Sequence, residues 1–200
     1  MSVVRTARGP QRAQLLIEVI PRTALVTFAA IVGAAALTAV AAQLSFPVPG
    51  SPVPVTAQTL VVLVSAAALG PGRALVSQLL YIAVGAAGLP VFARHSSGIN
   101  VLIGANGGYL VGFLLASLLI GAASRKGADR NMIRELAAFI GGSIVVYISG
   151  AGFLMARFGM SLSTALSLGV VPFLIGDAVK VAIASGVLPT TWRLLGRVGR

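Results

Sequence analysis

Long apolar runs separated by short polar connectors set the plan of this chain. The runs fall at about 24–43, 54–69, 74–89, 106–123, 135–156 and 172–189, near the ~20 residues a helix needs to cross a bilayer. They are too long for strands and do not alternate in period two. The pattern predicts an all-α integral membrane protein, a bundle of six transmembrane helices. Around residues 24–190 lie a basic N-terminal tail, 1–23, and a basic C-terminal tail, 191–200. Within the first tail, Ala13 to Ile20 is expected to form a short interfacial helix.

One polar pair interrupts the last run, Phe173-Leu174-Ile175-Gly176-Asp177-Ala178-Val179-Lys180-Val181-Ala182-Ile183. Three positions along a helix put Asp177 and Lys180 on one side. A charge at mid-bilayer costs about 2.5–3.5 kcal/mol on insertion scales. Two such residues on a lipid-facing surface are disfavoured, so that side is expected to face a polar pocket inside the protein. The competing reading is an internal ion pair that only fixes helix packing.

Composition agrees with the pattern: 57% of residues are hydrophobic and 10% charged, against about 25% charged in soluble domains. The net charge of +11 is carried in connectors, which argues against a nucleic-acid face. Twelve Lys and Arg fall on the side of the N-terminus and two, Arg94 and Arg157, on the other. The positive-inside rule therefore places both termini in the cytoplasm. The basic tail and first run mimic a secretory signal ending at Ala39-Val40-Ala41, but a run long enough to span, followed by more membranous segments, reads as an anchor. With no cysteine and a single histidine, His95, thiolate and multi-histidine metal sites are excluded, and no metal site is expected. Neither Lys126 nor Lys180 sits in a Walker A loop, so no ATP site is expected either. An intramembrane enzyme lacks a catalytic set. A channel lacks a continuous polar path.

The outer connectors are unusual. Pro47, Pro49, Pro52 and Pro54 make the first one stiff and extended, which suits a preorganised lid that carries Gln58 at its end. The simpler alternative is a rigid turn between two helices. The second runs from Gly88-Leu89-Pro90-Val91-Phe92 through His95 and Asn100 to Asn106-Gly107-Gly108-Tyr109. Asn100, Asn106 and Tyr109 offer amide and hydroxyl groups to a polar ligand, whereas His95 reads as a solvated loop residue. The stretch Arg157–Gly169 has helical patterning and is expected to lie in the interface. In the first span, Ala30, Ala34, Ala35 and Ala39 form a strip of small residues that lets another helix approach closely.

Taken together, several stretches resemble the BioY family, the biotin-specific S-components of energy-coupling factor (ECF) vitamin transporters. The resemblance rests on Leu37-Thr38-Ala39-Val40-Ala41-Ala42-Gln43-Leu44 and the Pro-Val-Pro-x-Thr-x-Gln-Thr of 52–59. It continues with Leu80-Tyr81, Gly88-Leu89-Pro90-Val91-Phe92-Ala93, Gly107-Gly108-Tyr109-Leu110 and Pro172-Phe173 before Gly176-Asp177-x-x-Lys180. The chain departs from the family where Ala105-Asn106 replaces Pro-Thr and where Arg94-His95-Ser96-Ser97 replaces glycine-rich positions.

The resemblance implies biotin capture at the outer face of a prokaryotic cytoplasmic membrane, by a multi-pass protein embedded in lipid. It implies a transmembrane coupling protein (EcfT-type) and two cytoplasmic ATPases (EcfA-type) as partners, with no cofactor and no enzymatic activity in this chain. It places Asp177 and Lys180 in the biotin site, Lys180 as partner for the carboxylate, and Asn100 near a pocket asparagine. It makes the alanine strip the partner-docking surface. Biotin's apolar ring suits walls built from Phe92, Tyr81 and Tyr109, with Gln58 closing the site from the lid. The alternative is an S-component for thiamine or riboflavin.

Overall fold

In this computed structural model, residues 14–20 and 23–198 are described. The remainder of the basic N-terminal tail lies outside the described residues. The helices are α1 (Ala24–Gln43), α2 (Gln58–Leu69), α3 (Pro71–Ala86), α4 (Ile99–Ile103), α5 (Gly107–Ser124), α6 (Met132–Phe158), α7 (Leu162–Gly169) and α8 (Leu174–Val198). Four stretches are long and apolar enough to cross a membrane: α1, α5, α6 and the run Leu162–Leu195. The second and third runs give shorter helices. At 12 residues, α2 extends only about 18 Å.

Local chemistry sets the breaks. Thr23 caps α1 by accepting from the Val26 amide. Gly70 separates α2 from α3 with φ 80°, and the Leu15 side chain fills the space where a Cβ would stand. Pro71 then opens α3, where its missing N–H costs nothing. The interfacial helix expected over 13–20 is instead one 3-10 turn, Leu16–Val19. Leu15 is fully buried, and Glu18 faces Arg73 at 3.8 Å and Arg125 at 3.6 Å. Those anchors pull the segment against the bundle. The last helix also runs further than expected, through Pro189 to Val198.

Between α1 and α2 the proline-rich connector is a hairpin. Strands β1 (Ser45–Phe46) and β2 (Val55–Thr56) pair antiparallel. Ser51 at its tip donates to the Leu168 carbonyl of α7 at 2.7 Å. Helices α5 and α6 form the most intimate pair in the bundle. A Cβ on Gly112 would stand 2.8 Å from the Val146 Cα, which is the close backbone approach that small residues permit. The expected alanine strip is divided by this packing. Ala34 and Ala35 are buried within the chain, while Ala30 and Ala39 are half-buried. Ala35 is therefore turned toward its own neighbours, whereas Ala30 and Ala34 line an apolar groove between α1, α2 and α8.

Candidate ligand-binding site

Eight elements converge at one end of the bundle. They are the proline-rich hairpin, the start of α2, α3, the Phe92 loop, α4, α5, α6 and the start of α8. They surround about 600 Å³ of space between atoms, part of it open to the outside. Gln58, Tyr81, Phe92, Tyr109, Asp177 and Lys180 all line it. Of the residues expected there, Asn100 is missing. Gly98 turns the chain into α4 with φ 87°, and α4 aims Val101 into the chamber and leaves Asn100 exposed. One step around the helix separates those two directions. Asn106 lines the chamber instead.

The polar centre is the Asp177–Lys180 pair. Lys180 Nζ donates to Asp177 Oδ1 at 2.7 Å, to the Thr56 carbonyl at 2.6 Å and to Thr59 Oγ1 at 3.2 Å. These three acceptors match the three hydrogens of an ammonium. Thr59 passes the polarity on, donating to Asp177 Oδ1 at 3.0 Å. Tyr147 donates to Asp177 Oδ2 at 2.6 Å. Both carboxylate oxygens are thus held, as a buried charge requires. No other charged side chain lines the chamber among the described residues, so the site is electrically neutral.

A second polar arm adjoins this pair through Thr56, whose hydroxyl donates to Gln58 Oε1 at 3.2 Å. Gln58 Nε2 donates to Tyr81 Oη at 2.8 Å, and Tyr81 donates to the Val91 carbonyl at 3.3 Å. Phe92 meets the Tyr81 ring edge-on, with centroids 5.4 Å apart at 90°. Tyr109 and Phe173 form the other aromatic wall, 6.2 Å apart. The Tyr109 hydroxyl has no hydrogen left for a ligand, because it donates to the Gly169 carbonyl at 2.7 Å. Its ring lines the chamber while its oxygen fixes α7. The chamber therefore offers apolar and aromatic walls with a neutral donor–acceptor cluster on one side.

Sequence reasoning missed Tyr147 and Thr59 as site residues. Tyr147 carried a signal, since a tyrosine hydroxyl within an apolar span needs a partner. Thr59 lay within the quoted 52–59 motif, but nothing in its spacing tied it to Asp177, 118 positions away. His95 is exposed, as its reading as a solvated loop residue expected.

Comparison with known proteins supplies the context. The family model described as the BioY family matches residues 14–197. The probable biotin transporter BioY of Pyrococcus horikoshii is 39% identical over 149 residues, covering 74% of this chain and 85% of that one. The biotin transporter BioY of Thermotoga maritima is 36% identical over 150 residues, covering 75% and 86%. A crystal structure of the S-component for biotin from an ECF-type ABC transporter shares the fold, with a TM-score of 0.79 and 24% identity. It covers 87% of this chain and 94% of the other.

Proposed function

The chain belongs to the BioY family, and from that premise we propose that it captures biotin for uptake across the cytoplasmic membrane as the substrate-specific component of an ECF-type transporter. The observation that carries the reading is the neutral Asp177–Lys180–Tyr147 cluster on the wall of an aromatic chamber. Biotin's ureido group has two donors and one acceptor and carries no charge. Its carbonyl can take a hydrogen of Lys180 in place of the Thr59 hydroxyl, the longest of the three contacts at 3.2 Å, and its N–H groups can donate to Asp177. The site stays neutral throughout.

A carboxylate delivered to Lys180 would leave the buried chamber with one net negative charge, which a low dielectric opposes. The charge balance thus favours the ureido end at Lys180, in place of the carboxylate partnership implied by resemblance. The carboxylate then points toward the open mouth and water. Phe92, Tyr81, Tyr109 and Gln58 supply the walls. No cofactor enters this scheme.

Six membrane-crossing helices with both termini cytoplasmic accompany this reading, and it is supported by the charge asymmetry of the connectors. Coupling to ATP hydrolysis falls to an EcfT-type membrane protein and EcfA-type ATPases, docked where α1 presents Ala30 and Ala34 beside α2 and α8. A thiamine or riboflavin S-component is not favoured.

Calorimetry on the purified chain in detergent tests the proposal. Biotin should bind, and thiamine and riboflavin should not. Absence of heat at micromolar biotin with a folded sample would sink it. Because the chain lacks cysteine, single cysteines placed at Lys126 and Ser161 report topology. Only the second should react with an impermeant reagent added outside.

A further inference from the structure

The segment Val91–Ser96 forms one wall of the chamber through Phe92 and Ala93. It holds the two non-glycine residues with positive φ among the described residues, Arg94 at 59° and His95 at 57°. Consecutive left-handed residues with side chains are disfavoured and persist only where their surroundings over-determine them. Part of that determination is local. The Phe92 amide donates to the Ser96 carbonyl at 3.1 Å, and Ser96 Oγ donates to the Ala93 carbonyl at 2.7 Å.

A further restraint comes from one side chain on another element. Gln43, the last residue of α1, presents Nε2 to the carbonyls of Val91 at 3.3 Å and Phe92 at 3.1 Å, and to Ala39 at 3.2 Å. Its Oε1 accepts from the His95 amide at 3.1 Å. The partners fix the amide's orientation, because the reverse would set an oxygen against three carbonyls. Gln43 therefore grips the loop both before its strained pair, at Val91 and Phe92, and within it, at the His95 amide. The grip continues inward, since the Val91 carbonyl also accepts from Tyr81, which Gln58 holds within the chamber.

We propose that Gln43 is a positioning residue that latches the Val91–Ser96 loop over the chamber, so that the outer end of α1 sets how long a bound ligand stays. The latch touches no ligand. It acts by keeping Phe92 seated, and a displacement of the α1 terminus breaks its three contacts to the loop together. The role in ligand release rests on the reading of the chamber as a biotin site, whereas the loop restraint itself does not.

The test has two arms on the purified full chain. In the empty protein, hydrogen–deuterium exchange of residues 91–98 should rise by about tenfold in Gln43→Ala, and also in Gln43→Glu, which faces the Val91 and Phe92 carbonyls with an oxygen. With biotin, the dissociation rate should rise by about tenfold without slowing of association. Adding His95→Gly to Gln43→Ala removes part of the backbone strain and should return both exchange and dissociation toward the parent values.

Unchanged exchange in both Gln43 variants overturns the latch. So does a loss of affinity carried only by slower association, or failure of His95→Gly to restore the loop. If the parent chain binds no biotin, the proposed function fails while the exchange arm still decides the latch.

Discussion

Tyr147 on α6 donates its hydroxyl to Asp177 Oδ2 on α8 at 2.6 Å, joining two helices across the chamber wall. A hydrogen bond to a charged group contributes about 1.5–3 kcal/mol. Tyr147→Phe keeps the ring and leaves Oδ2 without this donor. Biotin affinity measured by calorimetry should fall by at least about tenfold. An unchanged dissociation constant would show that Asp177 needs no help from α6.

The ion pair should also reveal itself in stability. Removing one partner of a buried pair costs about 3–5 kcal/mol, because the other charge is stranded. Lys180→Met strands Asp177, while Lys180→Met combined with Asp177→Asn strands nothing. The double variant should therefore melt above the single one in detergent, although both lose biotin binding. A double variant that melts no higher would argue that Thr59 and Tyr147 alone satisfy the carboxylate.

These two variants separate what was legible in the sequence from what was not. Asp177 and Lys180 stood out because charge inside an apolar run is costly wherever it lies. The three-residue spacing also fixed their shared side of the helix. Span positions followed from apolar length, and four helices meet that length in the structure. The long-range partners left no local trace. Tyr147 and Thr59 reach Asp177 from 30 and 118 positions away, and Asn100 and Asn106 could not be ranked without the direction of α4. Small-residue strips were legible as close-packing surfaces, but not which partner they meet: Ala35 faces its own chain.

Close packing makes its own prediction. A Cβ on Gly112 would stand 2.8 Å from the Val146 Cα and 3.2 Å from its carbonyl oxygen, whereas one on Gly152 meets nothing within 4 Å. Backbone cannot swing aside as a side chain tip can. Gly112→Ala should therefore lower stability by about 1–3 kcal/mol through overpacking. Gly152→Ala, also on a helix, should be neutral or raise it by up to about 1 kcal/mol. Paired thermal melts in one detergent decide this, and equal shifts would remove the claim that α5 and α6 meet backbone to backbone.

At the opposite end of the bundle, Asp129 in the turn between α5 and α6 is fully buried. Trp192 Nε1 of α8 donates to its Oδ2 at 2.7 Å, and the Arg130 guanidinium lies 4.6 Å from the Trp192 ring centroid. Oδ1 has no hydrogen-bond partner among the described residues. Burial pushes the Asp129 carboxyl above its ordinary value of 3.8, while the Trp192 hydrogen bond and the Arg130 charge pull the other way. A raised value means that the folded chain holds this proton more tightly than the unfolded chain. Stability from this group is then complete below the ordinary value and is lost as pH rises through the folded one. Asp129→Asn keeps an oxygen for Trp192 and carries no charge at any pH. Its melting temperature relative to the parent should therefore increase from about pH 4 to about pH 8. A constant difference across that range would mean that the carboxyl ionises in the fold without penalty.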